Sequence, residues 1–309
     1  MKKLFFVLFM VCVLLKPETS HAGAWTLPQK DTWVEFLTKF NWAKDDFINE
    51  AGEMRRKGND ARSWGWSMEG KMEYGAYDWL TLLGGVTFKT AYYKEYARNP
   101  SWGPYSASNH AVTDFHLGGR WRILKEPFVV SLQAKYFFYT GYAEDGGGLN
   151  DLAEVPGLSD RTDALDMRVL IARQFQGPYP WFFGIETGYR INMRNIADQV
   201  PFFAEVGVWP TNWMLFKGEV DCMYAADDHE GNRLIKEYAI WRIGPTFELL
   251  EIYDLFNKSD PEDVSVEAAT NSITRQGDSL NVSFTYGQTF WGKNVSADQE
   301  VMVKASAQF

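Results

Sequence analysis

The sequence predicts an all-β chain, a transmembrane antiparallel up-and-down β-barrel of about 12 strands, with 14 as the alternative. Three observations predict it. Long segments alternate apolar and polar residues with period two, the signature of a strand with two different faces. Aromatics make up 16% of the 309 residues, yet mean hydropathy is −0.31, and no run beyond the first residues reaches the roughly 18 apolar residues of a helical span. Connections between the alternating segments are short and long by turns, as in barrels with short periplasmic turns and long extracellular loops.

The chain opens with Lys2 and Lys3, an apolar run from Leu4 to Leu15, and the small residues Ser20 and Ala22. This pattern predicts a secretory signal peptide over 1–22, cleaved to leave 23–309 as a single barrel domain. Cys12 lies inside the apolar run rather than at the cleavage position, which argues against lipidation. Without Lys2, Lys3, Lys16 and Glu18 the chain carries 28 basic and 39 acidic residues, a formal charge of −11, which makes nucleic acid a poor partner. Only Cys222 remains, so neither an internal disulfide nor a thiolate metal cage can form.

Residues 64–93 show the grammar of the strands. Trp64, Trp66, Met68, Gly70, Met72 and Tyr74 share one face, with Ser67, Glu69, Lys71 and Glu73 on the other. Beyond a tight turn near Tyr77 and Asp78, Leu80, Leu82, Val86, Phe88 and Tyr92 resume the apolar face, opposite Thr81, Thr87 and Lys89. Each arm is close to the roughly 9 to 11 residues that a tilted strand needs to cross a bilayer. The same alternation predicts strands near 32–42, 64–76, 79–93, 111–123, 128–140, 164–175, 181–192, 200–208, 213–224, 235–249, 279–291 and 299–309.

Connections near 77–78, 124–127, 176–180 and 209–212 are short, whereas 43–63, 94–110 and 141–163 are long and polar. Trp33, Trp42, Trp64, Trp79, Trp121, Trp181, Trp209, Trp213 and Trp291 fall at or near strand ends, where amphipathic rings meet headgroups. Residues 250–278 are long for a periplasmic connection. The weak alternation of Val264, Val266 and Ala268 leaves open a further strand pair, with a turn near Gly244 and Pro245. The last residues alternate strictly: Val301, Val303, Ala305, Ala307 and Phe309 on one side, Met302, Lys304, Ser306 and Gln308 on the other.

The segments GAWTLP, YGAYDWLTL and GKNVSADQEVMVKASAQF, with the terminal Phe309, resemble Gram-negative outer-membrane β-barrel proteins, in detail the uncharacterised barrels described as XagA-like or transporter-like. The resemblance implies a location in the outer membrane and insertion by the barrel-assembly machinery. That machinery would read Val301, Val303, Ala305 and Phe309 as an assembly signal.

With the apolar face toward lipid, the inward face collects Glu35, Lys39, Glu69, Lys71, Glu73, Lys89, Asp114, His116, Arg120, Arg122, Lys135, Asp166, Arg168, Glu186, Arg190 and Arg242. Both signs occur in similar numbers, which predicts a weakly selective channel for small hydrophilic solutes or a salt-bridged, nearly closed lumen. Arg120, Arg122, Arg168 and Arg190 form a basic ladder for anionic solutes, or else neutralise Asp114, Asp166 and Glu186.

The loop EDGGGLND over 144–151 lacks the fixed oxygen spacing of a calcium site and reads as an outer loop that can fold inward; ADDHEGN over 226–232 reads as solvated carboxylates. Ser106, Ser108 and His110 are too close in sequence for a hydrolytic triad, and no nucleotide, haem or metal motif is present. The expectation is therefore a channel with no cofactor. A closed barrel serving an export, adhesion or electron-transfer assembly is the second reading, and a barrel enzyme the third.

Overall fold

A computed structural model describes residues 23–47, 53–96, 105–140, 158, 162–193, 196–226, 235–257 and 279–309. Its strands are β1 (Thr32–Ala43), β2 (Asp45–Phe47), β3 (Met54–Arg56), β4 (Arg62–Tyr77), β5 (Leu80–Glu95), β6 (Tyr105–Leu124), β7 (Val129–Tyr139) and β8 (Ala164–Phe175). They continue as β9 (Trp181–Asn192), β10 (Gln199–Thr211), β11 (Met214–Ala225) and β12 (Glu237–Glu248), then helix α1 (Leu249–Asn257), β13 (Ser279–Lys293), β14 (Val295–Ser296) and β15 (Gln299–Gln308).

Twelve of these strands close into one antiparallel barrel in the order β1-β15-β13-β12-β11-β10-β9-β8-β7-β6-β5-β4. The remaining three, β14-β2-β3, form a small separate sheet. Among the described residues no helix is long and apolar enough to cross a membrane. The seam is the pairing of β1 with β15, from Trp33 opposite Gln308 to Trp42 opposite Gln299. At its rim Thr32 and Phe309 exchange backbone hydrogen bonds of 2.8 and 3.0 Å.

Closure at 12 strands overturns the 14-stranded alternative. β12 pairs directly with β13, and Gly244 and Pro245 lie inside β12 opposite Lys217 and Phe216, where no turn exists. The long connection begins as α1; Val264, Val266 and Ala268 lie outside the described residues. β6 starts at Tyr105, earlier than alternation suggests, so the expected 94–110 loop is shorter. β4 and β5 have 16 residues and β6 has 20, well beyond a bilayer crossing, whereas the small sheet lies against β13.

The outward face is apolar and exposed to the lipid side, Phe36 by 70% and Leu117 by 58%. Val301, Val303 and Phe309 are outward and exposed, with Met302 and Gln308 buried inward. Trp33 and Trp209 depart from the expected girdle: Trp33 lines the lumen and Trp209 packs on Phe182 inside it.

Candidate functional site: the barrel lumen

Strand alternation carries a dense set of charges to the inside, and cross-strand register decides which of them meet. On β8 and β9, Asp166 is 1% exposed and accepts two hydrogen bonds from Arg168 at 2.7 and 3.0 Å and two contacts from Arg190 at 2.9 and 2.7 Å. Arg168 also reaches Glu186 at 3.2 Å. Arg120 on β6 holds Glu73 on β4 through two parallel bonds of 2.9 and 3.1 Å, the bidentate geometry that guanidinium favours, and reaches Gln133 on β7.

Around the seam, Lys71 bridges Glu35 at 3.1 Å and Glu69 at 3.3 Å. Glu300, buried, is shared by Lys39 at 3.3 Å and Arg242 at 2.5 Å, and Arg242 continues to Asp221 at 3.2 Å. Lys217 holds Glu219 at 2.6 Å and Glu205 at 3.4 Å, with Lys304 3.8 Å from Glu219. A carboxylate or cation taken from water costs several kcal/mol unless paired, so these networks are what permits so much charge inside.

The periplasmic end of the lumen is built differently. Residues 23–27 run inside the barrel as a strap, and the exposed residues 28–30 carry the chain over the rim to β1. Ala24 is buried among Val129, Leu170, Ala172 and Phe182, with Trp25, Trp209 and Leu215 packed against the group. The strap's polar atoms are met by the wall. Ser131 Oγ donates to the Ala24 carbonyl at 2.5 Å and Arg120 Nη1 to the Trp25 carbonyl at 2.9 Å. Thr26 Oγ1 donates to the Asp78 carbonyl at 2.6 Å, and the Leu27 amide donates to Thr81 Oγ1 at 2.8 Å. Two glycines make this close approach possible. A methyl group at Gly23 would lie 2.2 Å from Glu186 Oε1, and one at Gly75 would lie 1.9 Å from the Pro28 carbonyl oxygen.

Among the described residues two cavities stand out. The larger, about 950 Å³, occupies the lumen against the strap and is lined by Trp25, Leu37, Lys135, Phe203, Glu205 and Met302 among others. Its charged lining comprises eight carboxylates, namely Asp31, Glu35, Glu69, Glu73, Glu186, Glu205, Glu219 and Asp221, and eight cations, namely Lys39, Lys71, Lys89, Arg120, Lys135, Lys217, Arg242 and Lys304. The smaller, about 490 Å³, lies on the short-turn side between Phe182, Trp209, Trp213 and Leu250. Both have Trp33, Glu35, Lys217 and Lys304 in their walls, so the two cavities lie side by side across these four residues.

All 16 charged residues expected on the inward face sit on lumenal register positions, but in different company. The basic ladder is dissolved: Arg168 and Arg190 neutralise Asp166 and Glu186, and Arg120 neutralises Glu73. Asp114 accepts hydroxyl bonds from Thr87 and Thr113 instead of arginine. His116 is buried with its ring 5.1 Å from that of Phe137.

Sequence reasoning passed over Glu205, Lys217, Glu219, Asp221, Glu300 and Lys304, although Lys217, Glu219 and Asp221 show the same period-two signal. Ser106, Ser108 and His110 fall on the outward, exposed face of β6. Residues 144–151 and 227–232 lie outside the described residues, and among the described residues no group of three or more His, Cys, Asp or Glu is placed to hold a metal ion.

No family model matches the chain, and no curated protein matches it. Among solved structures, the COG4313 outer membrane channel from Pseudomonas putida F1 superposes with a TM-score of 0.59 over 94% of this chain and 100% of that one, at 10% identity. The fold is that of an outer-membrane β-barrel. The transport unit of the autotransporter AIDA-I from Escherichia coli matches at TM-score 0.42 and 8% identity, covering 99% of this chain and 97% of that one. A FadL homologue from Pseudomonas aeruginosa matches at TM-score 0.35 and 11% identity, covering 91% of this chain and 90% of that one.

Proposed function

We propose that this protein is an outer-membrane channel for small hydrophilic solutes. In this reading residues 1–22 are removed on export, the barrel-assembly machinery inserts 23–309, and the strap throttles the periplasmic mouth. One observation carries it: two cavities lie one beside the other in the lumen, separated only by the shared residues Trp33, Glu35, Lys217 and Lys304, which supports a polar path past the strap. Equal numbers of carboxylates and cations around the larger cavity support weak selectivity between inorganic ions. The COG4313 channel supports the channel class through its fold, and the short sequence motifs support a relation to XagA-like barrels.

Planar-bilayer recording of the refolded protein and of a variant lacking residues 24–29 tests this. The wild type is expected to give small steps with a reversal potential near zero across a salt gradient, and the variant steps several-fold larger. Silence from both proteins, each folded by heat modifiability, overturns the channel reading in favour of a closed barrel that serves a partner assembly.

A further inference from the structure

Most lumenal charges are paired, and among those that line the larger cavity Lys135 stands apart, where a solute would meet it. Lys135 on β7 lines the 950 Å³ cavity. Its cross-strand neighbour in register is Asp166 on β8, the carboxylate that would ordinarily neutralise it. Both oxygens of Asp166 are already taken by Arg168 and Arg190. The next carboxylate in reach, Glu73, is held by the two-pronged grip of Arg120. Lys135 is left without an ion pair or side-chain hydrogen bond among the described residues. The charges acting on it are led by Arg120, Lys71 and Arg168, all cationic, ahead of Glu73.

An ammonium set among other cations with no carboxylate in contact is costly to maintain, and an anion that arrives at it recovers that cost. The rest of the lining says which anion. Lys39, Lys71, Arg120, Lys217, Arg242 and Lys304 on this wall each lie against a carboxylate, so a dianion or phosphate would find one ammonium to hold it and several carboxylates repelling it. A single carboxylate matches that one ammonium, which no carboxylate of the wall contacts. Leu37, Phe203, Met302 and Trp25 add apolar surface to the same cavity, able to receive an organic body behind that carboxylate.

We propose that Lys135 anchors the carboxylate of an organic monoanion in the lumen, which gives the channel a solute-binding station for small monocarboxylates. The inference rests on reading the lumen as a solute path, but the binding it assigns is measurable without conduction.

Benzoate, benzyl alcohol and sulfate serve as probes, titrated against the full barrel folded in detergent. Intrinsic fluorescence reports binding, since Trp25 and Trp33 line the cavity. Benzoate is expected to bind saturably, with benzyl alcohol and sulfate each at least about tenfold weaker, the range for loss of a charge-assisted contact. Lys135→Gln should weaken benzoate about tenfold. Lys135→Arg should restore most of it. Arg122→Gln, at the periplasmic rim and outside the cavity, should leave it unchanged. Equal benzoate affinity in wild type and Lys135→Gln overturns the proposal, as does benzyl alcohol or sulfate binding as well as benzoate, or the absence of saturable binding to folded protein. A barrel that conducts but fails these titrations loses the station and keeps the channel; one that binds benzoate but never conducts loses the channel and keeps the station.

Discussion

The middle and the periplasmic end of the lumen solve the same problem with opposite chemistry. In the middle, charges are admitted in numbers and disarmed by one another, Asp166 by two arginines and Glu300 by Arg242 and Lys39. At the periplasmic end the inward positions turn apolar, with Leu170, Ala172 and Phe182 closing around Ala24 of the strap. The first arrangement leaves a polar space that water can fill. The second excludes water and fixes a peptide segment across the mouth. An inward residue in this barrel is therefore not polar by rule; what it faces decides its type.

Breaking the middle should cost most. Asp166→Ala leaves Arg190 without its carboxylate and Arg168 with Glu186 alone, and unfolding in urea should report a loss of about 3–5 kcal/mol, typical when one partner of a buried charge pair is removed. Undisturbed stability would mean that solvent already screens this triad. At the periplasmic end, Leu170 is 0% exposed, and Leu170→Ala should cost about 2–4 kcal/mol by the same assay, with larger conductance steps as the strap loosens.

The same substitution on the outer face sharpens the contrast. Leu117 is 58% exposed toward lipid, and because hydrocarbon tails replace its contacts with ones equally apolar, Leu117→Ala should cost about 1 kcal/mol or less. Similar losses at 117 and 170 would remove the distinction between a packed plug and a lipid-facing wall.

The smallest effect concerns the turn between β14 and β15, beyond the spanning strands. There burial pushes the Asp298 carboxyl up to about 6. The folded state thus binds this proton more tightly than the unfolded chain. Its contribution is fully present below the ordinary aspartate value near 3.8 and is lost as pH rises through about 6. Amide exchange around Ala297 and Thr289, whose amides bond to the Asp45 and Asp298 carbonyls, should accelerate slightly between those values, beyond the intrinsic pH trend, and Asp298→Asn should abolish that extra change.

The barrel itself was legible because its faces differ so sharply: each of the 12 spanning strands overlaps a segment that alternation marks. The lumenal charges were legible as positions, since period two places Glu73, Arg120 and Asp166 inside without further knowledge. Their partners were not. Arg120 finds Glu73 across two strand steps and Glu300 finds Arg242 across β13, relations fixed by stagger that no single strand encodes. The strap was invisible for another reason. GAWTLP carries no alternation, and its place in the lumen depends on inward apolar residues that look, one strand at a time, like interruptions of a polar face. β2, β3 and β14 were missed because two or three residues are too few to show a period.

The strap is continuous with β1, whose first residue Thr32 is locked to Phe309 at the seam. A plug on so short a leash has an effective concentration at its own mouth on the order of millimolar or more. Contacts that would be negligible between separate molecules therefore suffice to hold it in place. A free peptide of the same sequence would have to reach that concentration before it could compete, which makes occupancy of the mouth a property of the chain and insensitive to what surrounds it.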